Sequence, residues 1–386
     1  MIKSFKVMLI PNKRQQTRLF QFAGTARFAY NWALRKEIDA YETGEKFINP
    51  NDLRKEFTLL RNSDEYSWLK TISNNVTKQA IRDLGRAYDR FFKGESKRPQ
   101  FKSKRRGDFN FYQDPYKIQI TATHVKLESI AVSKRKNKQR LNWIRLAEHG
   151  RIPLGVKYEN PRISFDGLNW WLSVAVEVED PKPAENCGES IGIDLGIKSF
   201  AVCSDGNIYP NINKTKTVKR LKKKQRRLQR CISRKYEMNK EEGNRYSKTR
   251  NIIKSEKLLL KVHHRLKNIR QNYRHQITSE IIRRKPSLIV LEDLNVQGMM
   301  SNRHLAKAVQ EQGFYEFRCQ ITYKAEWAGL NVVIADRYYP SSKTCIICGN
   351  VKKNLKLSER IYHCEVCGNE IDRDLQAAIN LKRYAN

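Results

Sequence analysis

Ile191-Gly-Ile-Asp-Leu-Gly196 is a short apolar run that ends in an acid, and Leu288-Ile-Val-Leu-Glu292 is built the same way. Such runs, bounded by turn residues, read as buried strands. Around them the order is strand, a second strand at Phe200-Ala-Val-Cys203, and long helices at 214–235 and 252–284. The strand at 288–292, a helix over Glu311–Ala328 and a strand in Gly329–Asp336 follow. That alternation is α/β. Asp194 and Glu292 then stand at the C-terminal ends of strands, where open α/β sheets bind ligands.

A third acid, Asp374, begins the helix of Asp372-Arg-Asp-Leu-Gln-Ala-Ala-Ile-Asn-Leu381. A helix N-terminus favours negative charge. Three clustered carboxylates repel one another, and burial raises the cost. Divalent cations relieve it, and oxygen-only ligation suits Mg²⁺ or Mn²⁺. Two such ions ~4 Å apart activate water and stabilise the leaving oxygen in phosphodiester attack. Each acid also has a bland reading: Asp194 in a turn with Gly196, Asp374 as an N-cap. Asp293, Asp336 and Asp372 compete for the same roles, although Asp293 is expected on the opposite strand face from Glu292.

The charge says what the partner is. The 386 residues carry 76 Lys and Arg against 40 Asp and Glu, a net +36. So large a charge calls for an acidic polymer, and counterion release from phosphates makes nucleic acid the expected one. No apolar run approaches the ~18 residues that span a bilayer. The start, Met1 to Pro11, does not read as a signal peptide. A cytoplasmic location is therefore expected. The first long helix, 214–235, has 12 Lys or Arg in 22 residues and no acid, which marks a phosphate-facing arm that includes Lys222 and Arg226. With the second helix it is expected to form an antiparallel hairpin.

Of eight cysteines, Cys187, Cys203, Cys231 and Cys319 are scattered, while Cys345-Ile-Ile-Cys348 and Cys364-Glu-Val-Cys367 form two pairs, each followed by Gly. This spacing is that of a four-thiolate zinc ribbon holding one structural Zn²⁺. Lys352, Lys353 and Lys356 inside it suggest that nucleic acid passes nearby, and His363 is expected at the surface.

The first 183 residues read differently. Residues 1–12 form a strand and 13–95 are helical, with helices at Arg14–Tyr41 and Asn75–Phe92. After a basic stretch, short strands recur over 96–183 at roughly the spacing of a small β-barrel. The helices are thus expected as an insertion into a β-domain formed by 1–12 and 96–183. Asn75, Lys78, Gln79 and Arg82 on the second helix suit base-edge contact. Arg98, Lys102 and Arg105, with Lys104 and Arg106, suit phosphates. Of Trp170 and Trp171, one must face inward.

Gly192-Ile-Asp-Leu-Gly-Ile-Lys-Ser-Phe-Ala201, Ile289-Val-Leu-Glu-Asp-Leu-Asn-Val-Gln-Gly-Met299 and Asp372–Leu381 resemble, in order, the three RuvC motifs of the TnpB family of transposon-encoded proteins. Tyr30-Asn-Trp-Ala33, Gln79-Ala-Ile-Arg-Asp-Leu84, Leu305-Ala306 and Tyr323-Lys-Ala325 extend the likeness over most of the chain. Two positions depart from it: Gln376 stands where the family usually has Asn, and Phe314-Tyr-Glu-Phe317 where a Trp is common. The resemblance singles out Asp194, Glu292 and Asp374 as catalytic Mg²⁺ ligands. It implies a multidomain α+β protein: an RNase H-like (RuvC) nuclease domain (184–338 and 370–386), an inserted zinc ribbon (339–369), a β-barrel wedge (1–12 and 96–183) and a helical recognition domain (13–95). It also implies a guide RNA and a double-stranded DNA target cut beside a short motif. A compact type V CRISPR effector shares this organisation. A non-cleaving guided repressor would have lost acids that are present here, and a strand-transfer transposase fits the basic arms and ribbon less well.

Overall fold

The computed structural model describes residues 1–128, 130, 140–185, 188–240, 248–356 and 359–384; Cys187 lies outside them. They form two compact units, Met1–Glu179 and Asp180–Asn386.

In the N-terminal unit, β1 (Ile2–Ile10) runs into α1 (Lys13–Glu42) through a capping box. The Asn12 side chain accepts from the Gln15 backbone, and the Gln15 side chain accepts from the Asn12 backbone. Two further helices follow, α2 (Pro50–Asn62) and α3 (Asn74–Phe92). Glycine at position 85 of α3 allows α2 to approach, because a Cβ there would stand 2.5 Å from Pro50 Cγ. The remaining strands are β2 (Asn110–Tyr112), β3 (Gln119–Ile120), β4 (His124–Lys126), β5 (Trp143–Leu146), β6 (Tyr158–Phe165) and β7 (Trp170–Glu177). They make one seven-stranded antiparallel sheet with β1, in the order β2-β6-β7-β1-β5-β4-β3. The expected barrel differs from this: among the described residues the pairing is open, with no ladder between β2 and β3. Helices and sheet share one core, in which Val7, Phe22, Leu84 and Leu172 are all buried. Trp170 is buried in it, and Trp171 on the other face donates its indole N–H to Asp166.

The C-terminal unit is built on a five-stranded sheet in the order β10-β9-β8-β11-β12. Its strands are β8 (Ile191–Leu195), β9 (Ser199–Cys203), β10 (Ile208–Pro210), β11 (Leu288–Glu292) and β12 (Asn331–Ala335). The first three form an antiparallel meander, and β8, β11 and β12 are parallel. Between β10 and β11 lie α4 (Lys216–Met238) and α5 (Arg250–Arg283), packed through Val218, Leu221, Val262 and Leu266. The short α6 (Val296–Ser301) and α7 (Ala306–Gln312) precede α8 (Phe314–Ala328), and α9 (Arg373–Arg383) closes the order.

The two sheet faces are covered differently. Ile191, Ile193, Leu195, Ile289 and Leu291 pack against Ile277 and Ile281 of α5 and Phe314, Phe317 and Ile321 of α8. The other face carries Gly192 and Val290, and α9 packs there through Leu381. No helix among the described residues is long and apolar enough to cross a membrane.

Candidate active site and nucleic-acid interface

Strand periodicity puts Asp194 on the face of Gly192, and Glu292 on the face of Val290. The parallel register pairs Val290 with Gly192 and Leu291 with Ile193, so one further step sets Glu292 beside Asp194. Both acids therefore stand at the C-terminal edge, on the face covered by α9. That helix lies against β8 because residue 192 has no side chain: a Cβ there would be 2.1 Å from the Ala378 carbonyl oxygen and 2.4 Å from the Lys382 nitrogen.

The first turn of α9 brings the third acid. Asp372 is the cap, its Oδ1 accepting from the backbone of Asp374 at 2.9 Å and Leu375 at 3.1 Å. Asp374 is thus free of the capping role, with Arg360 3.9 Å away. Burial pushes Asp194 up to about 8, and the charges of Asp374 and Glu292 push it the same way. Glu292 is also raised, by burial and then by Asp293. All three acids remain partly exposed. Among the described residues, neither Asp194 nor Glu292 has a hydrogen-bonded or ion-paired side-chain partner. Asp293 is held below the usual carboxylate range by Arg337 and Arg318, at 2.6 and 2.5 Å. Arg318 belongs to α8, on the opposite face of the sheet. Asp336 accepts from the Tyr338 backbone in a turn.

The four paired cysteines also meet. Among the described residues they are the one group of three or more His, Cys, Asp or Glu whose ligand atoms lie within 4.8 Å of one another. Cys345 Sγ is 3.5 Å from that of Cys367, and Cys348 Sγ is 3.5 Å from that of Cys364. Each knuckle closes identically: Cys345 N–H donates to Asn350 O and Cys364 N–H to Asn369 O. The glycine between has φ +73° at Gly349 and +70° at Gly368, which a side chain disfavours. Backbone N–H groups of Cys367 and Val366 hold the Cys364 thiol down at about 6. Four thiols so arranged suit a thiophilic cation, with no place left for a fifth ligand. The Asn that follows each Gly was a repeat in the sequence that spacing alone did not single out. His363 is exposed and meets Glu370.

α9 is fastened to this cysteine module. Asn380 Nδ2 donates to the carbonyls of Ser341 and Thr344, each at 2.7 Å, and Gln376 Nε2 to Ser342 O at 3.3 Å. Arg373 reaches Lys356 O, and Arg383 reaches Ile346 O.

The expected nucleic-acid residues divide. Arg82, Arg98, Arg105 and Arg226 are exposed and Lys78 is half-buried. Four others differ from the expectation of free side chains. Gln79 is buried, its amide donating to Asp83, which Arg162 holds with two further hydrogen bonds. Asn75 donates to Asp114 at 2.7 Å. Lys102 lies 3.8 Å from the Tyr30 ring centroid, and burial lowers its pKa. Lys222 is paired with Glu311, an acid supplied by α7 rather than by its own helix. Each of these groups thus has a partner within the fold, and Gln79 is also buried. Lys352 likewise turns toward Glu359 and Glu365.

A cleft of about 630 Å³ was missed in the sequence. It lies between α4, α5 and α7, where Arg226, His263, Lys267, Arg270 and Lys307 line it. The signal was there: positions 263, 267, 270 and 274 share one helix face.

Three family descriptions match in chain order: "Helix-turn-helix domain" at 1–46, "Probable transposase" of the IS605 OrfB family at 173–303 and "Cas12f1-like, TNB domain" at 314–381. Residues 1–46 fold as β1 and α1 rather than as two helices. The chain is 28% identical to "Putative RNA-guided DNA endonuclease InsQ" of Escherichia coli K12, over 98% of this chain and 91% of that one. To "CRISPR-associated endodeoxyribonuclease Cas12f1" of Sulfoacidibacillus thermotolerans it is 26% identical, over 55% and 49%. The fold resembles that in the solved Cas12f1–sgRNA–target DNA complex, with TM-score 0.58 and 14% identity over 95% of this chain and 82% of that one. The ordered family matches and the near full-length likeness to InsQ make this chain similar to the IS605 OrfB transposases and RNA-guided DNA endonucleases that these descriptions name, in line with the resemblance to the TnpB family read from its motifs.

Proposed function

We propose that this protein is an RNA-guided DNA endonuclease of the TnpB type, with an RNase H-like (RuvC) site at the edge of the five-stranded sheet. The observation that carries the site is the register that sets Asp194 beside Glu292, on the face where α9 presents Asp374. Partly exposed carboxylates, of which Asp194 feels the charges of both Glu292 and Asp374, with no ion-paired side chain on Asp194 or Glu292, suit Mg²⁺ or Mn²⁺. Bound divalent ions would supply a polarised water and charge stabilisation for phosphodiester hydrolysis. The chain's own part is to hold the three acids in place, two from the sheet and one from α9. Cys345, Cys348, Cys364 and Cys367 fit one structural Zn²⁺, since four thiolates close a tetrahedral shell.

In this reading residues 184–338 and 370–386 are the nuclease domain and 339–369 the zinc ribbon. Residues 1–12 and 96–183 are the wedge, and 13–95 the recognition helices. The partners are a guide RNA and a double-stranded DNA target, and the cationic cleft of α4, α5 and α7 is the surface for their phosphates. The near full-length likeness to InsQ, against half-length to Cas12f1, favours a transposon-derived guide over one from a repeat array.

The test is to purify the protein from its host, sequence the RNA that comes with it, and challenge matching plasmids with and without Mg²⁺. Guided cutting by the parent, and none by Asp194→Ala with RNA and DNA binding retained, is the expected result. Absence of a bound RNA and of guided cutting would refute the function. Cutting by Asp194→Ala would refute the site.

A further inference from the structure

A cavity of about 170 Å³ opens in the N-terminal unit, lined by Glu37, Tyr41, Phe47, Tyr88, Phe92 and Arg98. Glu37, on α1, is only 4% exposed. One carboxyl oxygen accepts from the Ile48 N–H at 3.3 Å, while Oε1 has no partner. A buried acceptor left unpaired is costly and uncommon, and burial pushes this carboxyl up to about 7. The rim is equally unusual. Tyr41, Phe92 and Phe47 are 72%, 63% and 42% exposed. Phe47 meets Tyr88 at 5.2 Å and Phe92 edge-on at 5.6 Å, and Tyr88 stacks on Phe92 at 5.8 Å. The Arg98 guanidinium lies 5.1 Å from the Tyr41 ring centroid.

We propose that this cavity receives one unstacked nucleobase bearing an exocyclic amino group: adenine, cytosine or guanine. The base stacks on the rim rings, its amino N–H donates to Glu37 Oε1, and Arg98 meets its phosphate. Aromatic faces are the usual platform for single-stranded bases, and an unpaired acceptor on a lining residue selects for an amino edge. The volume is below the ~300–1,000 Å³ of pockets for drug-sized ligands and suits a single flat ring system. An apolar side chain inserted there would leave Oε1 unpaired. The inference rests on the reading that this chain binds nucleic acid.

Ultraviolet cross-linking of the full chain to its co-purified RNA, followed by mass spectrometry, tests it. Cross-linked A, C or G nucleotides are expected on Phe47, Tyr88 or Phe92. Glu37→Leu should lower that yield by roughly tenfold, the value of one lost buried hydrogen bond. Phe92→Ala should lower it too, without unfolding, since that ring is exposed. Glu37→Gln, whose amide also donates, should let uridine cross-link at the same rings. RNA that binds with an unchanged salt dependence but never cross-links here, or cross-links equally in Glu37→Leu, overturns the pocket and leaves the nucleic-acid reading standing. Failure to bind RNA at all overturns both.

Discussion

Gly192→Ala is the sharpest probe of how the site is assembled. A methyl group there would stand 2.1 Å from the Ala378 oxygen, 2.4 Å from the Lys382 nitrogen and 3.0 Å from the Leu381 carbonyl carbon. All three atoms are backbone, so no side-chain rotation relieves the clash. Ordinary separation is roughly 3.5 Å, so α9 must lift or tilt by roughly 1.4 Å. Overpacking of this kind costs ~1–3 kcal/mol, which for a chain of this size is a fall of several degrees in Tm. The helix that moves carries Asp374, while Asp194 and Glu292 stay with the sheet. Misplacing one reacting group by ~1 Å costs on the order of 100-fold. Single-turnover cleavage of a matched target should therefore drop about 100-fold, with RNA and DNA affinity held. Gly24→Ala on α1, where the nearest atom is 4.0 Å away at the tip of Arg27, is the control. It should leave cutting unchanged and raise stability by ~0.5–1 kcal/mol. A Gly192→Ala protein that folds and cuts within threefold of the parent would show that this contact does not set the position of Asp374.

In metal-free buffer, Asp194 keeps its proton up to about 8, whereas the unfolded chain releases it near 3.8. Folding stability should therefore fall as pH rises through that window, and Asp194→Asn should gain on the parent over the same range; parallel Tm–pH curves would refute this. Cys345→Ser should release the thiolate-bound metal, read by a chromogenic chelator, and lower Tm; full metal content in the variant would count against the site. Lys267→Ala and Arg270→Ala should each reduce the slope of log affinity for RNA against log salt by about 1, although Arg270 also pairs with Glu311 and its loss should cost some stability. An unaltered slope in both would move the phosphates elsewhere.

The α/β frame was legible because β8 and β11 are continuous apolar runs ending in acids, and a long hydrophobic period is hard to mistake. α2 was not, because only Leu53 and Phe57 of it are buried, too few to show a period. The cation row over 214–235 was legible as charge but not as geometry. Glu311, which claims Lys222, comes from a helix far along the chain. Gln79 and Lys102 misled for the same reason: polar side chains look available until the fold brings Asp83, Arg162 and Tyr30 against them. Which of Asp372 and Asp374 caps the helix required the backbone, since capping is decided by which carboxylate meets the free N–H groups.

The place of the cysteine module in the chain then acquires a physical sense. It fills the connection between β12 and α9, the one segment whose path decides where Asp374 arrives. α9 is tied to it through carbonyl oxygens of residues 341, 342, 344, 346 and 356. Carbonyls in a loop are poor anchors unless the loop is itself fixed, and here the two knuckles beside them are fixed by four thiols converging on one point. Gln376 shows how close the fit is: it is fully buried, its amide nitrogen reaches Ser342, and its Oε1 has no partner. A fully buried side chain holds such an orphan only when the surroundings already dictate its position. Gly192 presses α9 onto the sheet from one side, and the cysteine module fixes it from the other. Neither contact touches the three carboxylates, yet in the proposed reading both bear on how far Asp374 stands from Asp194 and Glu292.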